Sequence, residues 1–462
     1  MLISIKFSNY RSYFEPQEFS MLAIPQEKQY LTQNSFELNP ALYRGRLLKS
    51  SMILGLNATG KSNLLGVCRY LRYLVLFSSE AGREKRNIFK DANEQFAFFE
   101  SAQRTPVNFE VEFLADNNTY FVYSISVKGF SVEHEMLSQR VASNGERLAK
   151  TKCLFERRGN EIIQKSDEFA KLLEFVEVKS NVLLLSNCNS DIKDDICPSG
   201  KMVINWFAQL NYWNSSTSSI EIYDRNADYL DKAAKILMKS DKTLKNLRLE
   251  KKKLDIPVES QTNPESVFQA IRKSNIELGS GILAALEDGV YQLDIIAEYN
   301  LYSCSEEQTR QNVVGFSVFD SSSKISIGQS KLIRYLAYII EVLENGGILF
   351  LDELDCHLHH QFPKLITDAF NDSTINKNNA QLIFTTHSTS LIDNHFRRDQ
   401  INIVSKNEMG ISSVSHPERQ EGRVKSTNSL SKLWLENSLN KISSITIEDL
   451  KNILTNKMEE NL

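Results

Sequence analysis

Residues 55–63 read GLNATGKSN and fit the spacing G-x-x-x-x-G-K-[ST] in full, with Gly55, Gly60, Lys61 and Ser62 at the defining positions. That pattern suits one chemistry, the holding of a row of phosphates. Glycine lets the chain curl so that backbone N–H groups, here from Asn57, Ala58, Thr59, Gly60 and Asn63, point inward at an anion. The start of a following helix adds its positive dipole end. Lys61 then reaches the β- and γ-phosphates, and Ser62 is placed to ligate Mg²⁺. An apolar run, Met52-Ile53-Leu54, precedes the loop and helical text, Leu64 to Leu76, follows it. The expected ligand is a nucleoside triphosphate with Mg²⁺, with Lys61 also serving any reaction at the phosphates.

Three further stretches have residue types that would complete such a site. In GGILFLDELD (346–355) a hydrophobic strand ends in two acids. Alone this is a common way for a buried strand to meet solvent. Beside a phosphate loop it reads as Asp352 holding Mg²⁺ through water and Glu353 polarising an attacking water as a positioned base. In TTHS (385–388), after the apolar QLIF, His387 is suited to sensing a γ-phosphate. In SIGQS (326–330), ahead of KLIRYLAYIIEVLEN, Ser326 and Gly328 stand at a helix start, where an anion can bind without a lysine. Being far along the chain from Gly55, this stretch can serve a second nucleotide face; alone it reads equally as a helix cap.

These residues need a frame. A chain of 462 residues exceeds what one hydrophobic core usually organises, so two domains, or one domain with insertions, are expected. With 41% hydrophobic and 24% charged residues the composition is that of a globular protein. The formal charge of -4 argues against a surface that is basic overall but leaves room for a local nucleic-acid groove. The 6 cysteines form no CxxC pair, which disfavours a zinc site or disulfide framework. The N-terminal MLISIKFSNYRSY alternates as a strand does and lacks the apolar core of a signal peptide. No run of about 18 apolar residues is found, so a cytoplasmic chain with no membrane span is expected.

Residues 107–127 alternate on both sides of ADNN, as in a β-hairpin. From about 169 to 278 the text turns helical. YLDKAAKILMKSDKTLKNLRLEKKK sets leucines and alanines from Leu230 to Leu247 near one face, and PESVFQAIRKSN reads as a second helix. GILFLDEL and QLIFTTH are compact apolar strands, each after helical text, as in a buried and mostly parallel sheet. The expected fold is α/β. An N-terminal lobe (1–168) carries the loop and an antiparallel β subdomain, a helical insertion follows (169–278), and a second lobe (279–407) carries the remaining motifs. The tail, 408–462, is polar at first, and Ser405–Ser431 reads as a mobile segment.

The four motifs in this order resemble the ATP-binding-cassette ATPase core of the RecF, structural-maintenance-of-chromosomes and overcoming-lysogenization-defect group, over roughly 1–127 and 315–407. More narrowly, FSNYRSY, GLNATGKSN, FEVEF, GGILFLDELDCHLHH, NDSTINKNNAQLIFTTHSTSLID and RRDQINIV resemble the bacterial RloA and abortive-infection AbiL type. The resemblance implies an ATPase that dimerises around ATP, with one subunit's loop and acids closing on the partner's signature, here Ser326 and Gly328. It also implies a basic residue near the nucleotide, which falls on Arg11, and a separately encoded toxin or nuclease effector in anti-phage defence. The chain departs from the pattern at Cys356-His357, in its tail LWLENSLNKISSITIEDLKNIL, and in the Q-loop glutamine, for which Gln95 and Gln103 both stand as candidates.

Two functions follow. One is the ATP-hydrolysing sensor or scaffold of a defence system, as a homodimer or higher homo-oligomer. The alternative is a RecF-like clamp that grips DNA on closing. The run KSDKTLKNLRLEKKK (239–253) is the feature that favours DNA, although it lacks aromatic residues for base stacking and also reads as a solvated helix face. HLHH (357–360) resembles a metal cluster in composition but, beside the acids, reads as part of the dimer crossover.

Overall fold

The hairpin expected over 107–127 is present in the structure, a computed structural model of the chain: Val107–Leu114 pairs antiparallel with Thr119–Lys128. The residues described are 1–84, 87–91, 94–116, 119–141, 150–189, 196–213, 220–254, 282–286, 289–301, 312–320, 324–388, 391–392, 396–417 and 431–432. They fall into two compact units. One comprises 2–32, 37–207 and the chain from 387 onward; the other comprises Met1, 33–36 and 208–386.

In the first unit the hairpin lies within a seven-stranded antiparallel sheet. Its order is Glu161–Lys165, Lys152–Arg158, Ser131–Val141, Thr119–Lys128, Val107–Leu114, Leu2–Ser8 and Gln17–Ser20. The period-two pattern explains the sheet: Phe121, Tyr123, Ile125 and Val127 are buried, while Val122, Ser124 and Ser126 between them are partly exposed. The apolar face is closed by the helix Pro198–Ala208, whose Trp206 stacks on Phe113 with ring centroids 4.0 Å apart. The same unit holds the strand Ser50–Leu54, buried throughout, parallel to Ile401–Lys406.

A buried ion pair ties this sheet to the phosphate-loop helix, Lys61–Arg83. Arg157 and Glu135 are fully buried and 2.7 Å apart. Glu135 also accepts from the amides of Leu184 and Leu185 and from the Tyr123 hydroxyl. Arg157 donates to the carbonyls of Val182 and Lys179. The segment so fixed continues to Ser186, which accepts two hydrogen bonds from Ser79 of the helix, one from its amide and one from its hydroxyl. The two charges are thus satisfied on all sides, the condition under which burial is tolerated.

In the second unit, Leu210–Trp213, Ile348–Leu351 and Gln381–Thr386 pair in parallel in that order. Every residue of the last two is buried, as expected for strands covered on both faces. The helix Ile327–Asn345 buries Leu332, Tyr335, Leu336 and Ile339. The helices Ile220–Arg225 and Ala227–Ser240 precede an antiparallel ladder in which Leu244–Lys253 pairs with Gly289–Leu301.

Two expectations are corrected here. The stretch 169–278 is not wholly helical. Leu210–Trp213 is a strand of the parallel set, and the long helix ends at Ser240, where Asp241 accepts from the amide and hydroxyl of Thr243 and turns the chain. Leu244–Lys253 is then a strand. Leu244 and Leu247, three apart, looked like a helical face because a register shift between Leu244 and Asn246 lets a strand bury both. The tail is corrected too, since Ser412–Ser415 within the supposed mobile segment is a strand paired with Ile401–Lys406. PESVFQAIRKSN and the C-terminal LWLENSLNKISSITIEDLKNIL lie wholly outside the described residues.

Replacing Arg157 by Met leaves the Glu135 carboxylate buried without its cation. Urea unfolding of this variant is expected to show a loss of about 3–5 kcal/mol.

Candidate functional site

The phosphate loop runs from Gly55 to Asn63 between the buried strand and its helix. Two glycines in it are required by space. A Cβ on Gly55 would lie 2.6 Å from Thr59 Oγ1 and 2.7 Å from the Val404 carbonyl oxygen. A Cβ on Gly60 would lie 2.6 Å from Ser412 Oγ and 2.7 Å from Ser12 Oγ, and Gly60 has φ +111°. Ala58 takes φ +61°, a conformation that L-residues seldom adopt.

The bonds that hold the loop fall on its carbonyls. Lys61 Nζ donates to Gly55 O at 2.8 Å and to Leu56 O at 2.9 Å, and Thr59 Oγ1 donates to Leu56 O. Ser412 Oγ donates to Thr59 O at 2.5 Å, and Tyr13 hydroxyl to Gly60 O at 3.0 Å. Asn63 Nδ2 donates to Ser12 Oγ at 2.8 Å. Asn57, Ala58 and Ser62 are exposed, so the tip of the loop and the first turn of the helix face outward. The Ser62 hydroxyl is exposed there, and the Lys61 ammonium is bound to the loop's own Gly55 and Leu56 carbonyls. The residues present fit a triphosphate with Mg²⁺.

Sequence reading missed Ser12, Tyr13 and Ser412. Ser12 and Tyr13 lie in NYRSY, where only Arg11 drew attention; Ser412 lies in text taken for a tail. Arg11 itself, at φ +49°, forms a two-pronged pair with Glu94 at 2.6 and 2.7 Å. That pair holds its guanidinium more firmly protonated than usual. Of the glutamine candidates, Gln95 bridges to Tyr10 and donates to Thr105 O, while Gln103 is exposed.

The acids belong to the other unit. Asp352 and Glu353 follow the buried strand Ile348–Leu351, and Glu353 takes φ +52° with its side chain exposed. Both depend on Thr385, two residues before His387. The Thr385 hydroxyl donates to Asp352 Oδ1 at 2.6 Å and accepts from Glu353 N at 2.7 Å, and its carbonyl accepts from Leu354 N. One hydroxyl has one proton and lone pairs to spare, so it can do both at once. Thr385 is a fourth residue that sequence reading passed over, although it stands in the quoted motif. His387 is exposed immediately beyond the strand Gln381–Thr386.

Ser326 caps the helix Ile327–Asn345 through a full capping box with Gln329. Gln329 also donates to Asp241 Oδ2 at 2.6 Å. Gly328 packs against the His357 carbonyl, and Lys331 reaches the carbonyls of Glu353 and Cys356. The structure therefore brings Ser326 and Gly328 to the turn that carries the acids of the same chain. His359 and His360 stack on each other, and among the described residues no group of three or more His, Cys, Asp or Glu is placed to hold a metal ion.

A phosphate loop held by its carbonyls, and a strand ending in an aimed aspartate and a glutamate fixed through its backbone, define the P-loop ATPase class. The chain belongs to the family described as "AAA domain, putative AbiEii toxin, Type IV TA system", which matches residues 50–393 and so takes in loop, signature, acids and His387. No curated protein matches the sequence. Among solved structures, the "Crystal structure of the SmcHead bound to the C-winged helix domain of ScpA" is similar at 13% identity and a TM-score of 0.35, covering 94% of this chain and 99% of that one. At that score the likeness carries no argument about this chain. No helix among the described residues is long and apolar enough to cross a membrane.

Thr385→Val removes the shared hydroxyl while keeping shape and burial. ATP turnover is expected to fall about 10- to 100-fold, as when the group orienting a ligand is lost, with Thr385→Ser restoring it. Phosphate release, read beside an unchanged thermal transition, checks this.

Proposed function

We propose that the protein binds and hydrolyses ATP, and that it is the sensor or scaffold subunit of an anti-phage, abortive-infection system that controls a separate toxin or nuclease. The observation that carries the enzymatic part is the pair of hydrogen bonds at the Thr385 hydroxyl, donated to the Asp352 carboxylate and accepted from the Glu353 amide. A merely structural strand end has no need of one buried hydroxyl that both aims the Asp352 carboxylate and fixes the backbone of the acid beside it. Lys61 and the loop amides hold the triphosphate, and Ser62 and Asp352 are the groups suited to Mg²⁺. Bound Mg²⁺ neutralises charge on the phosphoryl oxygens. Glu353, exposed on a turn fixed through its backbone, accepts the proton of the attacking water. His387 donates toward the γ-phosphoryl. Ser326 and Gly328 face the nucleotide of a second copy in an ATP-closed homodimer.

The defence role is supported by the family description, which names a toxin of a type IV toxin–antitoxin system, together with the RloA- and AbiL-like text. ATP closure would favour one arrangement of the subunits, and an effector can bias that equilibrium only through its differing affinity for the two states.

The DNA-clamp reading draws on the strand Leu244–Lys253, where Lys245, Lys251, Lys252 and Lys253 are exposed. Its charge is partly answered within the chain: Arg248 pairs with Glu250 and Glu298, and Lys251 with Asp224. That neutralisation favours the first reading.

Lys61→Ala is expected to abolish ATP binding, and Glu353→Gln to keep binding while stopping phosphate release. Titration with a fluorescent ATP analogue and a phosphate assay separate the two. Equal turnover in Glu353→Gln and wild type would remove the base from this scheme.

A mixture of Lys61→Ala and Ser326→Arg chains should regain one intact composite site per heterodimer. Background turnover in that mixture, at concentrations where wild type is active, would remove the dimer. Purified wild type with Mg²⁺ and ATP should leave DNA and RNA uncut, and a salt-sensitive duplex shift would move the balance to the clamp.

A further inference from the structure

The helix that begins at the signature meets the acid turn at two points. At its start, a Cβ on Gly328 would lie 2.5 Å from the His357 carbonyl oxygen, so backbone packs on backbone there. One turn further on, Lys331 Nζ donates to Glu353 O at 3.0 Å and to Cys356 O at 2.9 Å. Between and beside those two carbonyls, Glu353 and His357 have φ +52° and +61°. Non-glycine residues avoid that region unless their surroundings hold them in it.

Lys331 is half-buried, and its ammonium lies 5.1 Å from the centre of the Tyr335 ring. Burial pulls its pKa below the usual lysine value, whereas Cys356, Glu353, Asp355 and Asp352 push it up. The Glu353 carbonyl, which the Cys356 amide of the turn also reaches, is therefore held in part by a group from the signature helix, while Thr385 holds the Glu353 amide. A lysine that only stapled a turn could come from either element. Here the Lys331 side chain links the helix start, where Ser326 is capped and Gly328 abuts the turn, to the carbonyl of the residue that bears the base.

We propose that Lys331 is a positioning residue that transmits the state of the signature helix to Glu353, so that whatever engages Ser326 and Gly328 governs how well the carboxylate is aimed. This rests on the reading of Glu353 as the base. It adds a regulatory connection within one chain between the two faces that the ATP dimer would use.

The test uses full-length Lys331→Met and Lys331→Arg, with Glu353→Gln beside them. Lys331→Met should bind ATP as wild type does, with kcat down about 10- to 100-fold, the scale of loss for a misplaced catalytic group. Amide exchange at 353–357 should be faster. Lys331→Arg keeps a charged donor and should recover most of kcat. Where the Met variant does not fold, Lys331→Gln serves in its place.

Wild-type kcat or unchanged exchange in Lys331→Met overturns the proposal. So does a loss of ATP binding equal to the loss of turnover, which would mark a purely structural role. If Glu353→Gln hydrolyses at the wild-type rate, the base assignment fails on its own account. Faster exchange at 353–357 in Lys331→Met then still upholds the positioning, and unchanged exchange ends it.

Discussion

Backbone amides that are to bind a phosphate cannot also be spent on the protein's own hydrogen bonds. A phosphate loop must therefore be held in a high-energy shape by contacts that spare its N–H groups. In this chain the holding is done through carbonyls: Gly55, Leu56, Thr59 and Gly60 all accept, from Lys61, Thr59, Ser412 and Tyr13. Two of these donors lie in the loop and its helix, and two arrive from the N-terminal turn and the strand Ser412–Ser415. Thr59 and the Val404 carbonyl leave Gly55, and Ser12 and Ser412 leave Gly60, no room for a side chain.

The same requirement for outside support recurs at the helix behind the loop. Its Ser79 is bound to Ser186, whose segment is fixed by the Glu135–Arg157 pair of the large antiparallel sheet. A sheet that bears no site residue thereby sets where the phosphate-binding helix stands. The buried ion pair is suited to this because each partner has several bonds to satisfy, and the strands and segment as they stand supply them.

On the acid side the economy is tighter. Thr385 aims Asp352 through its proton and fixes Glu353 through its lone pair, while Lys331 holds the far end of the turn. Beyond the turn's own bond from the Cys356 amide to Glu353 O, the bonds at the two acids come from residues distant in sequence. The Asp352 carboxylate thus takes its direction from a neighbouring strand, and the Glu353 backbone is held from that strand and from the helix Ile327–Asn345.

Short-range chemistry was legible in the sequence by itself. The glycine spacing, Lys61 and Ser62, the two acids after an apolar strand, and the hairpin over 107–127 are patterns whose physics acts within about a dozen residues. The long helix past Ser240 was misread because leucines three apart mimic a helical face, and only a bulged pairing with a strand some fifty residues away reveals them as a strand. Ser12, Tyr13, Thr385 and Ser412 were not legible as site residues for a related reason. Thr385 is 33 residues from Asp352, Ser12 is 51 from Asn63, and Ser412 is 353 from Thr59. A hydroxyl has no fixed partner until folding supplies one within about 3 Å. Which groups could do the chemistry was thus determined along the chain; how they are held was decided by the tertiary structure, because a hydrogen bond depends on distance in space and not on separation in sequence.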